Sequence, residues 1–293
     1  MAIAILPYGH SCRFRQVIAD LPLEDLLWPT GDRRPGSTVA DLTIDDHLVL
    51  HASSRILTLS QARLNCRLSL LLQEPVAIKP RFYQAIGLFA GRYHRILTHS
   101  TQLLSRLSNA RFTAHGGTFL PAAVVSDSSK SQRVSMIASS KNTTIGHRLR
   151  HRIAAWSKQA SPDLKLYGTA YRRVEDKREA HDDFYFSVCI ENSRTPGYFT
   201  EKLIDSFLCR SLPIYWGAPD IGHFFDPRGM ICCSSELELQ NAIQRVTEAD
   251  YLTRLPFLEE NIQRAGAFSD FYLNAINVLK SEDDVVLDRT PNE

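Results

Sequence analysis

The stretch from Phe184 to Gly217, FYFSVCIENSRTPGYFTEKLIDSFLCRSLPIYWG, leaves little freedom in how this chain folds. The apolar, aromatic run Phe184 to Ile190 is the length and composition of a buried strand. Polar Glu191-Asn192-Ser193 ends it, and Pro196-Gly197 marks a turn. Thr200 then has the character of an N-cap, with Glu201 in the first turn where the helix dipole favours an acid. Leu203, Ile204, Phe207 and Leu208 recur at helical spacing and give that helix one apolar face. Leu212 to Trp216 reads as the next strand, closed by Gly217. The unit is β-α-β, and such a crossover joins parallel strands.

Open parallel sheets bind ligands beyond the carboxyl ends of their strands, and helix N-termini attract phosphate. Asn192, Tyr198, Glu201 and Lys202 cluster at that edge. Lys202 there is suited to a diphosphate, and Glu201 to ribose hydroxyls. On composition alone the plainer reading is that both are first-turn residues facing water.

The 293 residues exceed a typical single domain, so two domains of ordinary size are expected. An apolar fraction of 44% with 23% charged residues describes a soluble chain with a real core. A net charge of +2 does not call for a polyanionic partner. Nothing approaches the roughly 18 uninterrupted apolar residues of a transmembrane segment. Met1 to Leu6 lacks a basic flank and meets Pro7 early, so it reads as a first strand and not a signal peptide. Cysteines 12, 66, 189, 209, 232 and 233 show no C-x-x-C spacing, which disfavours a zinc site or disulfide framework and fits a cytoplasmic location. The histidines form no metal-ligand spacing and no D-x-D triplet occurs, so metal dependence is not predicted.

In the first half, strands are expected at 1–6, 47–50, 67–72 and 95–98, and helices at 57–64, 83–89 and 101–107, together a doubly wound α/β half. Glu74 stands directly after the 67–72 strand, where such a sheet usually works; an ordinary solvated acid is an equal reading. His99 also follows a strand end, with a loop histidine the plainer reading. Residues 126–132, SDSSKSQ, have the small polar composition of a linker, which sets domains at 1–126 and 133–280 and a polar tail at 281–293. In the second half, strands are expected at 134–139, 164–167 and 230–233, and helices at 147–158, 236–246, 251–265 and 268–280. Segment 130–178 carries twelve Lys and Arg against three Asp and Glu. Without interleaved aromatics this argues against nucleic acid and for a local positive field facing a diphosphate, with Arg148, Arg150 and Arg152 at the start of the 147–158 helix.

Glu191-Asn192-Ser193, Tyr198-Phe199-Thr200-Glu201-Lys202 and Pro213-Ile214-Tyr215-Trp216-Gly217, in this order and spacing, resemble the signature of the α-1,3-fucosyltransferase family. The resemblance is strong over 184–217, fair over 134–168 and weaker over 69–120. It implies an α/β chain of GT-B fold, two Rossmann-like domains facing each other across a cleft. It further implies an inverting glycosyltransferase that moves fucose from GDP-fucose to an oligosaccharide or other glycan acceptor, with no cofactor required and any divalent cation non-essential. Arg148, Glu191, Asn192, Tyr198, Glu201 and Lys202 become the donor-binding set. Arg148 aligns best with the family's arginine, with Arg152 next; Arg148 and Lys202 would neutralise the departing phosphate. Glu74, followed by Pro75, corresponds to a family glutamate that takes the acceptor proton. Two other readings remain: a GT-B enzyme using another nucleotide sugar, and a non-catalytic carbohydrate- or nucleotide-binding protein.

Overall fold

The computed structural model describes residues 1–287 apart from Ser11, Ser54 and Ala122, with side chains as far as Ser281. The chain divides into two compact units, one formed by residues 1–113 and 272–293, the other by Ala114–Phe271. The division falls before the polar 126–132 stretch for a local reason. Gly116 bridges Thr200, the Gly117 N–H donates to the Phe268 carbonyl at 2.8 Å, and Thr118 Oγ1 donates to Asp205 at 2.5 Å, all inside the second unit. The 126–132 stretch is itself tied down. Lys130 Nζ donates to the carbonyls of Asp182 and Cys209, each at 2.6 Å.

The first unit carries strands β1 (Ile3–Ile5), β2 (His47–His51), β3 (Arg67–Leu72), β4 (Arg95–Thr98) and β5 (Ala110–Phe112), with helices α1 (Pro80–Phe89) and α2 (Thr101–Arg106). Its sheet is parallel throughout, and the strands lie side by side in chain order. The doubly wound order expected for this half is therefore corrected: every crossover advances in one direction, with no reversal. Leu68, Leu70 and Leu72 alternate onto one face with Ala4, Leu48, Leu50 and Ile96, where Phe82 and Ile86 of α1 cover them. Residues 57–64 do not form the expected helix. A short 3₁₀ turn at Ile56–Thr58 gives way to extended backbone, because Ser60 pairs with Val17 and Arg63 adopts a φ of 60°. β5 has no counterpart among the expected strands.

The second unit follows with β6 (Gln132–Ile137), α3 (Ile145–Ala160), β7 (Lys165–Tyr167), β8 (Phe184–Ile190), α4 (Glu201–Leu208), β9 (Leu212–Trp216), β10 (Ile231–Cys232), α5 (Glu236–Arg245) and α6 (Glu248–Phe268). Its parallel sheet has the order β10-β9-β8-β6-β7. Phe186, Leu203, Ile204, Phe207, Leu212 and Ile214 belong to one buried core, so the apolar stripe of α4 packs on β8 and β9 as its spacing required. A last helix, α7, spans Phe271–Leu287, and from Tyr272 on it groups with the first unit. The expected polar tail is helical to Leu287, and its remainder, 288–293, lies outside the described residues. Among the described residues no helix is long and apolar enough to cross a membrane.

Candidate functional site

In the second sheet the crossover direction reverses between β6 and β8, and in such sheets ligands bind beyond the carboxyl ends of the two strands at the reversal. Helices α3 and α4 both begin there. Thr144 caps α3: its Oγ1 accepts from the His147 N–H at 3.1 Å, and His147 Nδ1 accepts from the Thr144 N–H at 3.2 Å. Gly146 lets this helix start approach the end of β8. Its N–H donates to the Asn192 carbonyl at 3.2 Å, and a Cβ there would lie 1.7 Å from the Glu191 carbonyl oxygen.

Four charged side chains of alternating sign fill this edge. Glu191 is fully buried; its carboxylate accepts from the Thr200 N–H at 2.8 Å and from Thr200 Oγ1 at 2.7 Å, fastening the end of β8 to the N-cap of α4. Lys202 Nζ donates to Glu201 at 2.9 Å and Thr200 Oγ1 at 3.0 Å, and lies 3.7 Å from Glu191. Arg150 donates from Nε and an NH2 group to the Ile190 carbonyl at 2.9 and 2.6 Å, and from NH2 to Asn192 Oδ1 at 2.9 Å. Burial pushes the Glu201 carboxyl up, but the charges of Lys202 and then Lys177 outweigh it and hold Glu201 well below the usual carboxylate range. Burial likewise disfavours the Lys202 ammonium, yet Glu201 and Glu191 raise it above the ordinary lysine value. Lys202 thus supplies a fixed positive charge at a helix N-terminus, the arrangement that receives an anionic group.

The structure brings Glu191, Asn192, Glu201 and Lys202 together as the sequence placed them. Tyr198 is buried nearby, its ring 6.1 Å from that of His115. Arg148 lies on the exposed side of α3, with one guanidinium nitrogen curled back to the Thr143 carbonyl at 3.0 Å, at the helix start. Arg152 is turned to Glu236, 2.7 Å away. Arg150, grouped in the sequence with Arg148 and Arg152 as a positive field, is the one of the three that turns inward. Its signal was present: Gly146, Leu149, Arg150, Ile153 and Ser157 fall on the buried face of α3, and Arg148 and Arg152 do not. Glu74 belongs to the first unit, two residues beyond β3. Its carboxylate accepts from the Tyr8 hydroxyl at 3.4 Å and its carbonyl from the Tyr83 hydroxyl at 2.9 Å. Among the described residues no cluster of three or more His, Cys, Asp or Glu is arranged to hold a metal ion.

No protein-family model matches the chain. Among solved structures, an α,α-trehalose 6-phosphate synthase from Burkholderia multivorans superposes with a TM-score of 0.58 at 10% identity, over 85% of this chain and 74% of that one. The two parallel α/β sets and this likeness define the class: the fold is that of GT-B glycosyltransferases, two Rossmann-like domains. In sequence, an α-(1,3)-fucosyltransferase, FucT, of Helicobacter pylori is 38% identical over 58 residues, 20% of this chain and 12% of that protein. A protein of Acanthamoeba polyphaga mimivirus that carries a fucosyltransferase name is 46% identical over 39 residues, 13% of this chain and 6% of that one. Each likeness is confined to a short segment, and the chain spans only 12% and 6% of the lengths of these two relatives.

Proposed function

We propose that the chain is an inverting glycosyltransferase that moves fucose from GDP-fucose to a hydroxyl of a glycan acceptor. The observation that carries this reading is the Arg150–Glu191–Lys202–Glu201 cluster at the strand reversal of the second sheet, joined to the sequence likeness to an α-(1,3)-fucosyltransferase. In this reading a diphosphate takes the place of Glu201 as the partner of Lys202, at the positive end of α4. Glu201, released, accepts hydrogen bonds from ribose hydroxyls. Arg148, whose guanidinium already lies at the start of α3, closes on the same phosphates in a bidentate contact. Glu191, Asn192 and Tyr198 hold the backbone at the strand end and helix start in place.

The transfer breaks the bond between the anomeric carbon and the β-phosphate oxygen and forms one to the acceptor oxygen, with the proton passing from the acceptor hydroxyl to the Glu74 carboxylate. Lys202 and Arg148 neutralise the charge gathering on the leaving GDP. Two side-chain cations perform the neutralisation, so the proposal needs no metal. Cytoplasmic action fits cysteines that sit in apolar runs and are unpaired. The test is GDP release from GDP-fucose with a glycan panel and excess chelator. We expect turnover that falls at least about a hundredfold in Glu74→Gln. Release that requires a divalent ion, or prefers a UDP sugar, contradicts the reading.

A further inference from the structure

The carboxyl edge of the first sheet carries an exposed aromatic side chain, Tyr8. Tyr8 follows β1 through Leu6-Pro7, and 56% of it is exposed. Exposed tyrosines are common, but this one is held from several sides by the ends of other elements. His51, the last residue of β2, meets its ring edge-on at 5.4 Å and 89°. His51 is in turn flanked by the Tyr272 ring at 5.8 Å. The Lys79 ammonium lies 5.9 Å from the Tyr8 ring centre and donates to the Ala52 carbonyl, so its position is also set. The Tyr8 hydroxyl points at Glu74, donating to its carboxylate at 3.4 Å. The result is an exposed aromatic ring with an ammonium over it, an imidazole at its edge and a carboxylate at its rim.

A pyranose has the complementary surface. Its axial C–H groups form an apolar patch that packs on an aromatic ring, while its equatorial hydroxyls project from the rim and seek a carboxylate. A long charged or purely apolar ligand would use only one of the two features. We infer that Tyr8 and Glu74 form a pyranoside subsite, the saccharide ring stacked on Tyr8 and one hydroxyl hydrogen-bonded to the Glu74 carboxylate. The inference rests on the proposed transfer to a glycan acceptor and names the residue that positions that acceptor. On arrival the sugar hydroxyl replaces the long phenol–carboxylate hydrogen bond, so the tyrosine oxygen orients Glu74 only in the empty site.

The experiment is saturation-transfer NMR on the full chain with methyl β-glucopyranoside, methyl β-galactopyranoside and methyl N-acetyl-β-glucosaminide as probes, beside a separate calorimetric titration with GDP-fucose. At least one probe is expected to bind with saturation concentrated on the C–H protons of one ring face. Tyr8→Phe, which keeps the flat face, should hold Kd within about threefold, and Tyr8→Ala should weaken it about tenfold. Tyr8→Leu keeps apolar bulk without a flat ring and should behave like Tyr8→Ala. Circular dichroism confirms that each variant is folded. Unchanged binding in Tyr8→Ala, or no binding of any probe to the native protein, overturns the subsite. Pyranoside binding through Tyr8 in a protein that ignores GDP-fucose leaves the subsite standing and removes the fucosyl donor.

Discussion

Arg150 shows how one side chain organises a site without facing a ligand. Its guanidinium is buried, and burial alone lowers its affinity for a proton, with Glu191 and Glu201 opposing that effect; an arginine stays charged nonetheless. It joins α3 to the Ile190 carbonyl and to Asn192, and so fixes the strand end against the helix start. Replacing it with Met leaves two acceptors without their donor and removes a charge that balances two carboxylates. Arg150→Met is expected to lose about 2–4 kcal/mol in denaturant unfolding. Arg148→Ala, on the exposed face, should cost less than about 0.5 kcal/mol. Equal losses in the two variants would contradict the assignment of roles. Three arginines at alternate positions look alike in composition, and only the register of Leu149 and Ile153 tells which one turns inward.

At the scale of elements, α4 depends on its N-cap. Thr200 accepts from the Lys202 N–H at a long 3.5 Å, but its own N–H and hydroxyl both serve the buried Glu191 carboxylate. Thr200→Val keeps the shape and deletes the hydroxyl, leaving Glu191 short of one donor in a dry place. A loss of about 1–3 kcal/mol is expected, largely recovered in Thr200→Ser. A Val variant as stable as the native protein would mean that water reaches Glu191. The β8–α4–β9 unit was legible because its period changes from strand to helix at a recognisable cap. β5 was not, since Ala110-Arg111-Phe112 is three residues long and acquires its strand geometry only by pairing with β4. Residues 57–64 have helical spacing, yet pairing of Ser60 with Val17 overrides it, as tertiary pairing often overrides local pattern.

Across the whole molecule, two buried histidines tie stability to pH. Burial, then the charges of Lys177 and Lys130, push His181 down to about 3, and burial, then Arg150 and Lys141, push His147 down to about 4. His181 accepts or donates at 2.7 Å to Ser187 inside a serine cluster with Ser211 and Ser135, so it has no room for a proton and its hydration. Both folded-state values lie below the ordinary histidine value near 6.5, so the unfolded chain binds the extra protons. The stability they contribute is present above pH ~6.5 and is lost as pH falls toward the folded values. The guanidinium midpoint should therefore drop between pH 7.5 and 5, and drop less in His181→Asn. A midpoint that rises on acidification would refute this.

The division into units was legible as a count of two, but its position was not. The polar composition of 126–132 suggests a free linker, whereas Lys130 binds three carbonyls of the second unit. The sheet orders were likewise beyond the sequence, since alternation of strands and helices is the same for a sheet that reverses and one that does not. What the sequence did carry was which charged and capping residues meet at the end of β8, because they lie in one continuous stretch with a recognisable cap.

In the proposed function this edge holds a guanosine-diphosphate sugar through Lys202. Calorimetric titration with GDP-fucose, GDP-mannose and UDP-galactose in chelator tests it most directly. GDP-fucose is expected to bind in preference to the other two, weakened at least about tenfold in Lys202→Ala and in Arg148→Ala. Preference for a UDP sugar, or GDP-fucose binding that survives both substitutions, would contradict it.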